Sequence, residues 1–242
     1  EELIRSEMDI ETLTNDFQDL EMYSLINQAK DIGGNGNVVI EQPVKQYRTI
    51  SKQKELVLLV ERLNNSDLIS FDLETTSIIP LEAEIVGISF SVRANEGYYI
   101  PVEYPEKDVN QGLSLDIVLQ TLKPIFENNS NCFCGQNIKY DALVLSRYDI
   151  HIANIAFDTM LAEYMLHPEK NSYKIDYLSL DYLKYSMVPI EDLIGTGLHQ
   201  KSMAEVPLKD VSFYASEDAD IAFQLAGILK VKLEEEHLSE PY

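Results

Sequence analysis

The pattern of apolar and polar positions gives its clearest prediction of secondary structure in residues 68–76, which read LISFDLETT. Apolar side chains at Leu68, Ile69, Phe71 and Leu73, with no helical period, predict a buried β-strand. This stretch lies between segments of different pattern, so we take it as the central strand of the fold.

The same strand carries two acidic side chains, Asp72 and Glu74. Because side chains alternate across a strand, both carboxylates leave on one face, one pleat apart. Burying two such charges is costly unless a cation lies between them, and hard divalent cations suit paired carboxylates best. These residues alone leave two interpretations open, a metal site or a strand end at which Glu74 reaches water.

Other segments show strand-like or helical spacing. Apolar alternation predicts a strand near residues 85–92, and further short strands are predicted near residues 47–50, 98–102, 132–134 and 155–157. Helical periodicity predicts helices near residues 9–29, 52–64, 114–127, 138–148, 160–166, 176–185 and 208–236. The short connections from the central strand to residue 102 indicate an antiparallel meander, and the later strand–helix units indicate parallel pairings. The fold class is therefore α/β, with a mixed sheet flanked by helices.

A composition shift divides the chain. Residues 30–46, KDIGGNGNVVIEQPVKQ, are rich in Gly and Asn and contain a Pro, which is typical of a linker. We predict an acidic leader over residues 1–45, containing the helix near 9–29, and a compact domain over residues 46–242. Since the chain starts at an acidic residue rather than Met, we expect it to be a piece of a longer protein.

The hydrophobic and charged fractions, 45% and 25%, are those of a globular protein. No apolar run approaches the roughly 20 residues of a membrane helix, so we expect no membrane partner. Cys132 and Cys134 are separated by one residue and are poorly placed to bridge. Reduced thiols and a cytoplasmic location are the expectation.

The formal net charge of −22 argues against a nucleic-acid-binding protein, which usually has a basic surface. The negative charge is not evenly distributed, because ten acids and only two bases lie in residues 1–44. More than a third of the excess negative charge therefore lies in the leader. Acids that bind divalent metal are also neutralised locally. The charge therefore weakens a nucleic-acid function without excluding it.

Two later segments carry acids at helical spacing. In residues 135–143, GQNIKYDAL, Asn137 and Asp141 are four apart and share a helix face. In residues 213–220, FYASEDAD, Tyr214 and Asp218 are again four apart, which places a phenol one turn from a carboxylate.

Each segment also has a purely structural interpretation. Asn137 is a suitable N-cap, in which case Asp141 would be a solvated helix acid. The second segment fits an amphipathic helix with its acids in water, and we expect Glu217 and Asp220 to face solvent.

In order and in type, the Asp-x-Glu, Asn-x-x-x-Asp and Tyr-x-x-x-Asp motifs resemble those of the DnaQ-like (DEDD, tyrosine subtype) 3′–5′ exonucleases. The stretches FDLETTSI, VGISF, YYIPV, GQNIKYD, IAFDTMLAEYML and YASEDAD look like the proofreading domains of bacterial DNA polymerase I. The likeness covers roughly residues 47–233. It implies an RNase H-like fold with a mixed five-stranded sheet.

The implied function is a metal-dependent 3′–5′ exonuclease that releases 5′-mononucleotides from the single-stranded 3′ end of DNA. A polymerase domain would follow it in the full-length chain, and a 5′-nuclease domain would precede it.

The resemblance also implies a site with two divalent ions, Mg²⁺ or Mn²⁺, with Zn²⁺ accepted. Asp72, Glu74 and Asp218 would hold the first ion, and Asp72 would bridge to the second. Asp141 would act on the second ion through water. Tyr214 and Glu74 would orient the attacking water.

Five further residues are implied in substrate binding. Backbone amides near Thr75 and Thr76 would hold the terminal nucleotide, and Ile78 would wedge against the last base. Asn137 would support the site or contact substrate. Met203 stands where many relatives have a Phe that stacks on the base, although an ordinary loop residue is an equal interpretation.

Four cations are candidate phosphate contacts, or solvated charges: Lys139, Arg147, Lys201 and Lys209. Two other functions stay open at this point. One is a stand-alone RNA 3′-end exonuclease of the RNase D type, which shares the motifs. The other is a catalytically silent scaffold domain of a polymerase, which would be expected to have lost its acids.

Overall fold

The protein is described by a computed structural model over residues 9–20, 22, 25–26, 29, 44–102, 112–197, 200–240 and 242. The chain divides into two compact units, Glu1–Pro43 and Val44–Tyr242. The first contains helix α1, Ile10–Asp19. The rest of the helix predicted near residues 9–29, and most of the predicted linker, lie largely outside the described residues. The role of a leader stays a prediction.

The second unit is built on one mixed sheet. Its described strands are β1 (Gln46–Thr49), β2 (Ile69–Thr75), β3 (Ile85–Ser91), β4 (Glu96–Pro101), β5 (Phe133–Gly135) and β6 (Ile155–Asp158). They are arranged in the order β1-β4-β3-β2-β5-β6. The central strand of the sequence pattern, β2, is thus an interior strand with a neighbour on each side.

The pairings confirm the predicted topology, with one difference. β2, β3 and β4 form the antiparallel meander, and β2–β5 and β5–β6 are parallel. The resemblance implied five strands, whereas the described sheet has six. The additional strand is β1, which pairs in parallel with β4. Two backbone hydrogen bonds join them, from the Gln46 amide to the Asn95 carbonyl (2.8 Å) and from the Ile50 amide to the Tyr99 carbonyl (2.7 Å).

Most helices of this unit lie close to the predicted ranges, but the short helix Ile190–Ile194 was not predicted. They are α2 (Gln53–Asn64), α3 (Leu115–Phe126), α4 (Ile138–Ser146), α5 (Thr159–Leu166), α6 (Ile175–Leu178), α7 (Ile190–Ile194) and α8 (Leu208–Glu235). A π-helix, Ser179–Leu183, continues α6, and a 3₁₀ turn, Met203–Glu205, precedes α8. The Asp158 carboxylate caps α5 by accepting from the Met160 and Leu161 amides.

The two faces of the sheet have different roles. On one face, Ile69, Phe71 and Leu73 of β2 join the main core with residues of α2, α3 and α4. Phe71 and Phe126 form its centre, with ring centroids 5.1 Å apart. The alternate β2 positions leave on the opposite face, which α8 crosses. This alternation directs the two acids of β2 toward α8.

Cys132 and Cys134 are both free, and Cys134 is fully buried. The predicted reduced state agrees with this, while a cytoplasmic location stays a prediction. Within the described ranges, no helix combines the length and apolar character needed to span a membrane.

Candidate metal centre

Three carboxylates converge between β2 and α8. One oxygen from each of Asp72, Glu74 and Asp218 lies within 4.8 Å of the other two. Glu74 is only 6% exposed, which excludes the interpretation of a strand end in water. Residues separated by more than 140 positions are thus brought together by packing α8 across the sheet.

Asp141 approaches the same strand from a third element. It lies in the first turn of α4, is 2% exposed, and its Oδ1 accepts a hydrogen bond from the Leu73 amide at 3.2 Å. Leu73 is the residue between the two acids of β2. Asp141 is therefore at the cluster, and its interpretation as a solvated helix acid is wrong.

Asn137 occupies the N-cap position of α4, but it does not act as a side-chain cap. Its backbone is left-handed (φ 54°), and no cap hydrogen bond comes from its side chain. The backbone amide of Asn137 instead donates a hydrogen bond to Asp158 Oδ1 at 3.2 Å. Asp158 thus connects the start of α4, which carries Asp141, to the start of α5.

Tyr214 lies one helical turn before Asp218 on α8. Burial and the Asp218 charge raise the pKa of the Tyr214 phenol far above its usual value, and the two side chains share a hydrogen bond. Both effects favour the protonated phenol, which is a hydrogen-bond donor rather than a base.

The cluster is strained electrostatically when it holds no cation. Burial raises the pKa of Asp72 to about 6. Burial, followed by the charge of Asp72, raises the pKa values of Asp141 and Asp218 well above their usual range. Like charges that share a buried site disfavour one another's ionisation.

The donor set fits divalent metal. Asp218 Oδ1 is buried without a hydrogen-bond partner among the described residues, which is costly unless a ligand completes it. All donors in the cluster are carboxylate oxygens, the ligands that Mg²⁺ and Mn²⁺ prefer. A bound cation would give Asp218 Oδ1 a partner and would offset the repulsion among the carboxylates.

A cavity of about 560 Å³ opens directly beside the cluster. Asp72, Asp141, Tyr214 and Asp218 line it, together with residues 171–176 and 187–191. Its described lining contains five acidic side chains and a single basic one, Lys174. The charge of the described cavity lining is therefore mainly negative.

The predicted substrate-binding residues have different surroundings. Thr75 Oγ1 is bonded to the Tyr140 hydroxyl at 2.6 Å, and the Thr76 amide donates to the Glu84 carbonyl at 3.0 Å. Ile78 is 92% exposed, whereas Met203 is 6% exposed in a small apolar cluster.

The amide of Thr76 is therefore already used within the fold. Ile78 is open to contact. Met203 is enclosed by apolar neighbours, and its role in stacking stays a prediction, as do those of Thr75 and Asn137.

Sequence reasoning placed Glu217 and Asp220 in water, and this is wrong, since both are fully buried. Glu217 accepts from the Tyr185 hydroxyl (2.5 Å) and the Val188 amide (2.8 Å). Asp220 accepts from Lys45 Nζ (2.7 Å) and three further donors. Apart from Gln224, one helical turn after Asp220, these partners are distant in sequence, so no local pattern reveals them.

Tyr140 and Lys174 were also missed. The Tyr140 hydroxyl bonds to Thr75 and to the Ser77 carbonyl, which ties the segment after β2 to α4. Of the four cations proposed from the sequence, none lines the cavity. Arg147, for example, donates to the Ala83 carbonyl.

Comparison with known protein families gives one match that covers most of the chain. A family model described as 3′-5′ exonuclease matches residues 47–234. DNA polymerase I of Pseudomonas aeruginosa is 35% identical over 215 residues, which are 87% of this chain and 23% of that protein. DNA polymerase I of Borreliella burgdorferi is 34% identical, over 84% of this chain and 22% of that protein. The chain thus spans about a quarter of the length of these relatives.

Solved structures share the fold at low sequence identity. Escherichia coli RNase D, an exoribonuclease, matches with a TM-score of 0.62 and 16% identity, over 80% of this chain and 47% of that one. Brucella melitensis NrnC with bound Mg²⁺ matches with a TM-score of 0.59 and 14% identity, over 82% of this chain and 86% of that one. The fold is that of the RNase H-like exonucleases.

Proposed function

The chain belongs to the 3′-5′ exonuclease family whose model matches residues 47–234, and from that membership we propose a metal-dependent proofreading exonuclease acting on DNA. The observation that carries the proposal is the convergence of four carboxylates from β2, α4 and α8 beside one cavity. Phosphodiester hydrolysis needs such a holder, because it must place positive charge around an anionic substrate.

Asp72, Glu74 and Asp218 are the proposed ligands of one ion, with Asp72 shared and Asp141 serving a second. When bound, the two ions supply a more acidic water as nucleophile and neutralise the departing 3′ oxygen. The protein holds four carboxylates on rigid elements, so the geometry is fixed before substrate arrives. Mg²⁺ and Mn²⁺ fit the oxygen donors, and Zn²⁺ is a further candidate.

The neutral phenol of Tyr214 is the proposed group that orients the attacking water, and its single O–H, which is shared with Asp218 in this structure, would turn to the water when Asp218 holds an ion. Its proton is retained because burial and Asp218 both oppose ionisation. A donor beside a carboxylate such as Glu74 fixes both the position and the direction of a water molecule between them.

DNA is the proposed substrate, because the relatives named above are DNA polymerases, whereas the RNase D likeness extends only to the fold. The chain covers about a quarter of those relatives, which supports the proposal of further domains in the full-length protein. We propose that these are a polymerase domain after it and a 5′-nuclease domain before it, as the sequence resemblance implies. A silent scaffold is disfavoured, because all four acids are present and lie together.

The direct test uses a single-stranded DNA oligonucleotide labelled at its 3′ end. With Mg²⁺ or Mn²⁺ we expect release of the label as a 5′-mononucleotide, and no release in excess EDTA. An RNA oligonucleotide of the same sequence should be degraded more slowly. Faster loss of RNA than of DNA, or removal of nucleotides from the 5′ end, would contradict the proposal.

Lys174 is predicted to contact a phosphate of the bound strand, because it is the one cation among the described residues that line the cavity. Lys174→Ala should weaken binding of single-stranded DNA and reduce the dependence of log K on log salt by about 0.7. Fluorescence anisotropy with an oligonucleotide that has a 3′-terminal phosphorothioate measures both.

Lys209→Ala is the matched control, since Lys209 is exposed and lines a second, separate cavity. It should leave both the affinity and the salt dependence near those of the unchanged protein. Equal effects of the two substitutions would show that Lys174 acts only through the overall charge.

A further inference from the structure

Residues 187–191 form a wall of the cavity beside the carboxylate cluster. A second cavity of about 520 Å³ lies behind this wall, and Val188 lines both. Met187 anchors the start of the wall in an apolar cluster, whereas Val188 lies between the two cavities. The position of the wall at Val188 therefore depends on specific hydrogen bonds as well as on packing.

Glu217 supplies such bonds. Its Oε1 accepts from the Tyr185 hydroxyl at 2.5 Å and its Oε2 from the Val188 amide at 2.8 Å. The Glu217 carboxylate thus binds the side chain of Tyr185, which precedes the wall, and the backbone of Val188, which belongs to it. Glu217 is fully buried, so water does not compete for these bonds.

A second charged group supports the same arrangement. Lys45 Nζ lies 4.4 Å from the centroid of the Tyr185 ring and 2.7 Å from Asp220 Oδ2. The Tyr185 backbone is fixed separately, because its carbonyl accepts from the Ser179 hydroxyl at 2.9 Å. Tyr185 is therefore held at its backbone, its ring and its hydroxyl.

Glu217 directly precedes Asp218 on α8. We propose that Glu217 is a positioning residue, which fixes the wall at residues 187–191 relative to the carboxylate cluster and thereby sets how the cavity holds the 3′ end of a strand. This inference rests on the proposed function for its substrate. It assigns Glu217 no contact with the reacting atoms.

The test removes one hydroxyl. Tyr185→Phe keeps the ring and deletes the bond to Glu217, and we expect KM for 3′-labelled single-stranded DNA to rise about three- to tenfold, with kcat changed less than twofold. Amide hydrogen exchange in peptides covering residues 187–191 should also become faster.

The chain offers a matched control. The Tyr182 hydroxyl donates at 2.7 Å to the fully buried carboxylate of Glu163, which lies on α5 and outside the cavity lining. Tyr182→Phe removes an equivalent bond, so the melting temperatures of both variants should fall by similar amounts. It should leave KM and the exchange of residues 187–191 unchanged.

Equal KM values for the two variants, or unchanged exchange in Tyr185→Phe, would overturn the proposal and leave Glu217 a purely structural group. The exchange measurement does not need a substrate. If the unchanged protein released no nucleotides, the proposed function would fail, while exchange would still decide whether Glu217 fixes the wall.

Discussion

Asp72→Asn should lower the release of nucleotides from 3′-labelled single-stranded DNA by about a thousandfold or more. Asp72 is the proposed ligand shared by both ions, and metal ions supply several kcal/mol of charge stabilisation in such reactions, with each 1.36 kcal/mol worth tenfold in rate. The loss should appear in kcat at saturating metal.

The same substitution should not unfold the protein. Asn has nearly the shape of Asp, and it removes one of the charges that raise the pKa values of Asp141 and Asp218. The melting temperature without metal should therefore stay the same or rise. Lower melting with proportional loss of activity would indicate misfolding instead.

Asp210→Asn is the control for removing an acid as such. Asp210 is exposed in the first turn of α8, the helix that also carries Asp218. Its substitution should leave the rate within about twofold of the unchanged protein. Near-normal nucleotide release by Asp72→Asn would contradict the assignment of the site.

In the absence of divalent metal, the free energy of unfolding should fall as the pH rises from about 4 through 6. The pKa of Asp72 is about 6 in the fold and 3.8 ordinarily, so the folded protein binds more protons than the unfolded chain between these values. For Asp72 alone the difference corresponds to about 3 kcal/mol. Asp141 and Asp218 shift in the same direction and extend the fall to higher pH.

Saturating Mg²⁺ or Mn²⁺ should reverse this loss, because the ions bind the folded carboxylates and not the unfolded chain. Urea denaturation at several pH values, with EDTA or with metal, measures both effects. Asp72→Asn should show a smaller pH dependence in EDTA. A metal-free protein that becomes more stable toward pH 8 would contradict the electrostatic account.

Much of the fold followed from local pattern. The alternation in β2, the meander and the helix near residues 160–166 were all predicted, because each depends on residues close together in sequence. The pairing of β1 with β4, which adds a sixth strand to the sheet, was not predicted. The four residues of β1, Gln46–Thr49, are mostly exposed, so no apolar pattern specifies their partner.

The site was predictable in its residue types and less so in its surroundings. Spacing alone placed Asp141 and Asp218 on helices, but only packing shows that both reach β2. Glu217 and Asp220 looked like solvated acids because their partners, such as Tyr185 and Lys45, lie far away in sequence. Lys174 has no local feature that distinguishes it from the other lysines.

The central claim is that four carboxylates hold two divalent ions. Crystals grown with Mn²⁺, with data collected at the manganese absorption edge, test it most directly. We predict two anomalous peaks about 3.5–4 Å apart, contacted by Asp72, Glu74, Asp141 and Asp218. An anomalous map with no peak at these carboxylates, at a Mn²⁺ concentration that supports nucleotide release, would contradict the account.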